Sequence, residues 1–116
     1  MNLRASQING CACCINMHWQ DARANGEAEE RLYLLNAWRG ASVHSAREAA
    51  ALAWTEALTR IETSGAPDNV HAKIEAQFSP RVQVALRLAI SAINAWNRIA
   101  IGFRMPHGLP DAAKTV

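Results

Sequence analysis

The residues best suited to chemistry lie close together near the beginning of the sequence, in residues 11–18. Cys11 and Cys14 form a CxxC pair, and His18 follows the second cysteine by four residues. Because successive residues of an α-helix are rotated by about 100°, these three side chains would share one stripe of a helix. Cys13 falls about 160° away from Cys11 on the same helix. The spacing therefore predicts two thiols and an imidazole that act together, with Cys13 buried and pointing elsewhere.

A CxxC pair at the beginning of a helix is typical of thiol redox chemistry. The unpaired backbone N–H groups at a helix N-terminus and a neighbouring imidazole both stabilise a thiolate, which is the form that attacks a peroxide or a disulfide. On spacing alone we assign Cys14, the cysteine nearer to His18, as the attacking thiol and Cys11 as the resolving and exchange thiol. His18 would relay a proton. Two other interpretations stay open, because CxxC also supplies half of a zinc site and cysteines are often simply buried.

Helices are expected to hold these residues in place, since no segment alternates apolar and polar residues between turn signals as a strand does. The pattern predicts an all-α bundle of about five to six helices. Asn9-Gly10 is suited to ending the first helix immediately before Cys11, and Pro80 to beginning the last. The expected helices are about 2–9, 11–25, 27–40, 45–63, 68–77 and 80–103, with a frayed, disordered tail over about 106–116.

Composition limits the number of domains, the binding partners and the cellular location that we expect for this protein. The 116 residues, half of them apolar, suffice for one core, so we predict a single domain over 1–116 that oligomerises to cover its apolar surface. Interspersed charges with a net value of +2 argue against nucleic-acid binding. The sequence shows neither a membrane-spanning run nor the pattern of a secretion signal, which predicts a cytoplasmic location without membrane contact. In the reducing cytosol, clustered cysteines indicate chemistry or metal binding rather than a structural disulfide.

Other aromatic and polar residues have two interpretations each. The four tryptophans are first predicted to pack in the core or at a subunit contact, although Trp19 and Trp96 are also candidates for walling a thiol pocket. Asn94, Asn97 and Arg98 carry donors for a peroxide or a carboxylate, but capping and packing are equally open. We predict no catalytic role for the three histidines that fall in predicted loops or at the surface: His44, His71 and His107.

Beyond the cysteines, five stretches carry a family pattern: residues 3–10, 21–23, 26–27, 31–38 and 94–98. Together with CxxC and the following histidine, they resemble the alkylhydroperoxidase D-like (AhpD-like) family, within the carboxymuconolactone decarboxylase superfamily. The similarity covers about residues 3–104. It is specific, because a CxxC pair alone would not bring the flanking stretches with it.

The resemblance implies a fold, an activity and partners. The fold would be an AhpD-like helical bundle that forms a homo-oligomer, a trimer or a hexamer. Cys14 would be the peroxidatic thiol and Cys11 its resolving partner, in agreement with the assignment from spacing. The implied substrate is an alkyl hydroperoxide. The implied electron donor is dihydrolipoamide, a lipoylated protein or a thioredoxin-like protein, and neither a cofactor nor a metal is implied.

Two departures from the family pattern bear on activity. Active members carry a glutamate about a dozen residues before the first cysteine, and that position precedes Met1 of this sequence. Either the chain is shortened, or the protein works without that carboxylate, or another acid such as Glu56 replaces it in space. In addition, Cys13 stands where the prototype has a histidine. Both departures predict slower chemistry than in the prototype.

Two competing functions follow from the same residues. Carboxymuconolactone-type decarboxylation needs acid and base groups but no thiol pair, so Cys11 and Cys14 count against it. A non-enzymatic redox sensor or a zinc-binding interaction protein is favoured by the missing glutamate.

Overall fold

A computed structural model of the protein describes residues 1–108, and every regular element in that range is a helix. Within these residues lie seven α-helices and, between α3 and α4, the 3₁₀ segment Leu35–Gly40: α1 (Asn2–Asn9), α2 (Ala12–Ala24), α3 (Glu29–Tyr33), α4 (Ala46–Thr59), α5 (Ile61–Ser64), α6 (Asp68–Gln77) and α7 (Pro80–Gly102). The prediction of an all-α fold is confirmed. None of the helices in the described range is long and apolar enough to cross a membrane. The predicted tail lies outside that range from residue 109 onward.

The starts of α4 and α7 follow capping signals in the sequence. Ser45 caps α4 through a reciprocal pair of hydrogen bonds, in which the Glu48 N–H donates to Ser45 Oγ (3.1 Å) and the Ser45 N–H donates to Glu48 Oε1 (3.0 Å). Ser79 caps α7 by accepting from the Val82 N–H, and Pro80 occupies the first turn, where its missing N–H costs nothing.

The predicted helix over 27–40 is wrong in its second half. Ala37 leaves helical geometry (φ −118°, ψ 32°), and the chain winds as a 3₁₀ segment instead. Leu35 and Trp38, on either side of the kink at Ala37, are only 7% and 8% exposed and belong to one apolar cluster. Both side chains thus reach the core across the kink.

The predicted helix over 45–63 is interrupted at Arg60, whose backbone (φ −102°, ψ 40°) departs from helical geometry. The short helix α5 follows the break. The Ser64 hydroxyl donates to the carbonyl of Ala57 (2.6 Å), which ties the end of α5 back to α4. This contact spans seven residues and cannot form in a continuous straight helix.

Helix α4 lies at the centre of the molecule, packed against α1, α6 and α7. Residues of α4 belong to two apolar clusters. The first contains Leu3, Leu32, Leu35, Trp38, Leu52 and Ala53. The second contains Ala50, Trp54, Ala57, Ile74 and Ile90. Helix α1 packs against α2, α4 and α7, so it connects this core to the segment that carries the cysteines.

Candidate active site

The CxxC helix begins directly after a tight helix end. Gly10 closes α1 in the left-handed conformation (φ 70°), which glycine adopts without strain. The Cys11 N–H donates to the Ser6 carbonyl (3.0 Å), and Cys11 itself is the N-cap of α2. The predicted helix end at Asn9-Gly10 is confirmed. Cys11 therefore stands at the entrance of α2, with Cys14 in its first turn.

Cys11 and Cys14 are joined in a disulfide, with their Cα atoms 5.3 Å apart. Cys11 Sγ also accepts a hydrogen bond from the Cys14 N–H (3.3 Å). Both cysteines are buried, at 1% and 0% exposure, in a small cluster with Ala100 of α7. The structure thus brings the two predicted thiols together but leaves neither sulfur accessible from solvent in this conformation.

Cys13 is a free thiol and is half-buried. It packs, with Ile101 of α7, against the cluster that contains the disulfide. The sequence predicted a buried thiol pointing elsewhere, whereas the structure leaves Cys13 the most accessible of the three cysteines. Cys13 can therefore compete with Cys11 and Cys14 for reagents that approach from solvent.

Three asparagines, Asn9, Asn94 and Asn97, hold the CxxC segment against α7. Asn97 is fully buried, and its Nδ2 donates to Ser6 Oγ (3.0 Å). Asn9 Nδ2 donates to Asn97 Oδ1 and to Asn94 Oδ1 (both 2.9 Å). Asn94 Nδ2 in turn donates to Thr59 Oγ1 (3.0 Å). Of the two interpretations for Asn94 and Asn97, the structure shows the packing one, because their amide groups are engaged within the protein.

The other residues of interest lie away from the disulfide. Trp96 is 43% exposed, and Trp19 packs against the first apolar cluster with the Arg23 guanidinium 4.6 Å from its ring centre. Within the described residues, the partly buried apolar side chains that pack against the cysteine cluster are Cys13 and Ile101, so Trp19 is not among them. Arg98 donates to the Asn94 carbonyl. His71 contacts Glu75 and Arg87 on α6 and α7, so it has partners that the sequence did not reveal.

His18 lines a cavity of about 430 Å³ between α1, α2, α3 and α4, which we call the imidazole cavity. Its Nε2 atom is buried and finds no hydrogen-bond partner within residues 1–108. Burial lowers the pKa of His18 below its ordinary value, against the opposing charge of Asp21. Burial therefore favours the neutral imidazole, which can accept a proton from a thiol.

His44 lines the same cavity from the loop before α4. Both of its ring nitrogens are buried, and neither has a hydrogen-bond partner in the described part of the chain. The sequence predicts no role for His44, because its loop gives no periodic signal of burial. Its position inside the cavity depends on how α1, α3 and α4 pack together.

Charged residues on the cavity wall are paired with one another. Arg31 Nε lies 2.6 Å from Glu27 Oε1, and Arg31 also forms an ion pair with Glu48. The hydrogen bond from Arg31, followed by those from Ser45, lowers the pKa of Glu48 to about 2. Glu48 therefore stays ionised at neutral pH and is poorly suited to passing protons to His18.

Glu56 does not fit the expectation that it takes the place of the family's glutamate. Its carboxylate accepts from Arg4 Nε (3.0 Å) and Trp38 Nε1 (2.8 Å) and pairs with Arg39. Burial alone would raise the pKa of Glu56, but these three hydrogen bonds outweigh it and lower the pKa. Glu56 is also absent from the described lining of the imidazole cavity. It is a structural ion-pair partner of α1.

Metal binding would need further ligands. Cys11 and Cys14 could supply two thiolates after reduction, but within residues 1–108 no group of three or more histidine, cysteine, aspartate or glutamate side chains is arranged to hold a metal ion.

Three comparisons with known proteins each found a similar protein or family. The sequence model of the carboxymuconolactone decarboxylase family matches residues 1–57, which include α1, α2 and most of α4. The uncharacterised protein YdfG of Bacillus subtilis is 43% identical over 101 residues, covering 87% of this chain and 69% of YdfG. The crystal structure of an Agrobacterium tumefaciens protein of unknown function, for which a role in antioxidant defence as AhpD has been suggested, aligns with a TM-score of 0.91. That protein is 44% identical, and the alignment covers 94% of this chain and 75% of its own.

Proposed function

Since this chain belongs to the carboxymuconolactone decarboxylase family, as one of its AhpD-like members, we propose that it is a thiol-dependent oxidoreductase that reduces organic hydroperoxides. The observation that carries the proposal is the pairing of Cys11 and Cys14 at the start of α2, one turn before His18. The suggested antioxidant role of the similar Agrobacterium protein supports it.

In the first step the Cys14 thiolate attacks the outer oxygen of the hydroperoxide. The O–O bond breaks, Cys14 becomes a sulfenic acid, and the alkoxide takes up a proton and leaves as an alcohol. A neutral His18 first accepts the proton of the Cys14 thiol and then returns it to the alkoxide. The lowered pKa of His18 suits this role, because the imidazole must be unprotonated at the start.

In the second step the Cys11 thiolate attacks the sulfur of the Cys14 sulfenic acid. The S–O bond breaks and the disulfide forms, while the leaving hydroxide takes up the proton that the Cys11 thiol released and departs as water. The Cys14 N–H, which donates to Cys11 Sγ, also stabilises negative charge on Cys11. This hydrogen bond supports Cys11 as the resolving thiol.

An external dithiol then reduces the Cys11–Cys14 disulfide by thiol–disulfide exchange and is itself oxidised to a disulfide. We propose dihydrolipoamide, a lipoylated protein or a thioredoxin-like protein in the cytoplasm as the donor. Because Cys11 and Cys14 are 1% and 0% exposed, exchange requires the cover formed by Ala100 of α7 to open locally. We expect this opening to limit the rate of reduction.

We also propose a homo-oligomer, a trimer or a hexamer. Helix α7 and the residues after it expose large apolar side chains, including Leu88 (66%), Ile99 (46%) and Phe103 (80%). Exposed apolar surface of this kind is typical of subunit contacts. Light scattering of the purified protein measures the number of subunits.

The test is consumption of cumene hydroperoxide by the reduced protein with dihydrolipoamide as donor. We expect Cys14→Ser to abolish turnover. Cys11→Ser should consume about one equivalent and stop at a sulfenic acid, which dimedone labels. Cys13→Ser is the matched control and should keep turnover. Turnover that survives Cys14→Ser would contradict the proposal.

Two alternatives give different results in the same set of variants. A decarboxylase of the carboxymuconolactone type would act on a lactone carboxylate and would be insensitive to Cys14→Ser. A redox sensor or zinc-binding protein would show no catalytic turnover with any donor. Stoichiometric zinc in protein purified without chelator would favour the zinc-binding alternative.

A further inference from the structure

We propose that the residues after α7, 103–107, form a strap that keeps the Cys11–Cys14 disulfide covered, and that a hydrogen bond between Asn16 and His107 is the latch of this strap. Release of the latch sets how fast an external reductant reaches the disulfide. The covering concerns the disulfide alone, and only its consequence for turnover rests on the proposed function.

The cover of the disulfide lies in the last turn of α7. Cys11 and Cys14 are buried together with Ala100, and Ile101 packs against the same cluster. Every residue from 102 to 108 is exposed, so the chain after the cover has no buried side chain of its own to anchor it. Other contacts therefore have to hold the end of α7 in place.

The latch joins the strap to the helix that carries the cysteines. Asn16, two residues beyond Cys14 on α2, donates from Nδ2 to the carbonyl of His107. In the part of the chain that the structure describes, this is the one hydrogen bond between α2 and either α7 or the strap. Breaking it frees the strap from α2.

The turn between α7 and the strap is strained. The Met105 N–H donates to the Ala100 carbonyl (2.9 Å). The Arg104 N–H donates to the Ile101 carbonyl (3.0 Å), and these two bonds form the Schellman ending of a helix. That ending needs a left-handed residue, which is glycine in α1 and α5 but Arg104 (φ 57°) in α7. Strain at Arg104 favours unwinding of the turn that holds Ala100 over the disulfide.

The other side of the disulfide is fixed. Asn97, three residues before Ala100 on α7, is fully buried and donates to Ser6 Oγ of α1 (3.0 Å). Asn9 donates to Asn97 Oδ1 (2.9 Å), so buried hydrogen bonds hold α1 and α7 together beside Cys11. The latch, in contrast, is exposed to water. Opening therefore begins at the strap and ends at Asn97.

Reduction by tris(2-carboxyethyl)phosphine measures how often the strap opens, because it needs neither a hydroperoxide nor catalysis. The phosphine attacks one sulfur, the S–S bond breaks and the other cysteine leaves as a thiolate. Water then converts the adduct into a phosphine oxide and the second thiol. Alkylation followed by intact mass spectrometry counts the thiols, under conditions where the rate is proportional to the phosphine concentration. We expect Asn16→Ala to be reduced about fivefold faster than the original protein, which corresponds to about 1 kcal/mol.

Asn25→Ala is the matched control. It is the same substitution at the exposed C-terminal end of α2, where the side chain makes no hydrogen bond within residues 1–108. This variant should be reduced at the original rate. Because alanine favours a helix more than asparagine does, faster reduction of Asn16→Ala cannot come from a weakened α2.

Arg104 should give an effect in the opposite direction. Arg104→Gly and Arg104→Ala both remove the guanidinium, which donates to the Ile101 carbonyl (3.2 Å), but only glycine removes the backbone strain. Arg104→Gly should therefore be reduced about threefold more slowly than Arg104→Ala. Equal rates for these two variants would contradict a strained turn that favours opening.

Hydrogen exchange locates the opening. In Asn16→Ala the amides of Arg104 and Met105 should exchange about fivefold faster, whereas those in the middle of α4 should keep their original rate. The proposal is overturned if Asn16→Ala is reduced no faster than Asn25→Ala. It is equally overturned if the α4 amides speed up by the same factor, because the disulfide would then be reached by unfolding of the whole protein.

Turnover separates this inference from the proposed function. If the protein reduces no hydroperoxide but Asn16→Ala still speeds reduction by the phosphine, the proposed function fails and the strap remains. If turnover depends on Cys14 while the phosphine reduces all variants at one rate, the strap fails and the proposed function remains.

Discussion

Two regions on either side of α1 treat their buried polar groups in opposite ways. Where α1 meets α4 and α7, Arg4 Nε donates to Glu56, Asn9 Nδ2 donates to Asn97 Oδ1, and Asn97 Nδ2 donates to Ser6 Oγ. In the imidazole cavity, where α1 meets α2 and α3, the buried nitrogens of His18 and His44 have no partners within residues 1–108.

The difference distinguishes buried polar groups with a structural role, which are hydrogen-bonded within the protein, from candidates for a functional role, which are not. Polar groups that are hydrogen-bonded within the protein hold the backbone in one conformation, and here they hold the segment that leads into Cys11. Polar groups left unsaturated beside a cavity lower stability unless a ligand or water completes them. Removing a polar group where α1 meets α4 and α7 should therefore lower the free energy of unfolding. Removing one from the imidazole cavity should leave this free energy unchanged or raise it.

Glu56→Gln should have the largest effect. It leaves the 6% exposed Arg4 without its carboxylate, and breaking a buried ion pair costs about 3–5 kcal/mol. Urea unfolding followed by circular dichroism measures the change. Glu62→Gln, at an exposed acid of α5, is the control and should shift the free energy by less than about 0.5 kcal/mol. An equally small effect of Glu56→Gln would contradict the structural role of that pair.

Asn97→Ala should destabilise the protein by about 2–3 kcal/mol. The substitution removes the hydrogen bonds to Ser6 and Asn9 and leaves their groups buried. Thermal or urea unfolding measures the loss, and Asn69→Ala at an exposed position of α6 serves as the comparison. Hydrogen exchange should in addition show faster opening of the segment around Cys11 in the Asn97 variant.

The helix starts and the CxxC position were predictable, because Gly10, Ser45 and Pro80 act through local backbone geometry. The interruptions at Ala37 and Arg60 were not, because they arise from contacts between separate elements. The same holds for the site. Spacing placed Cys11 and Cys14 together, but the partners of Glu56 come from distant segments, with Arg4 52 residues away. His44 carried no local signal at all.

His44→Phe should leave stability unchanged or raise it by up to about 1 kcal/mol, in contrast to Asn97→Ala. It removes two buried nitrogens that lack partners among the described residues and adds apolar surface to an apolar wall. Differential scanning calorimetry measures the shift. A destabilisation as large as that of Asn97→Ala would mean that His44 is bound within the protein and would remove the contrast between the two regions.

The smallest expected effect is on the pH dependence of stability, and it arises from Glu48. Its pKa is lowered from 4.5 to about 2, so its stabilising ion pair is fully present above about pH 4.5 and is lost as pH falls towards 2. Because the side chain is 41% exposed, solvent screening keeps the contribution to a few tenths of a kcal/mol. Glu48→Gln, which preserves the cap of α4, should flatten the stability profile in that pH range. An unchanged profile would contradict the Arg31 pairing.

We propose that Cys11 and Cys14, rather than Cys13, carry the redox chemistry. To test this, the fully reduced protein is treated with one equivalent of cumene hydroperoxide, the remaining thiols are alkylated, and the alkyl group is located by tandem mass spectrometry. We expect loss of two hydrogen atoms, with the alkyl group on Cys13 alone. Oxidation confined to Cys13, or alkylation of all three cysteines, would contradict it.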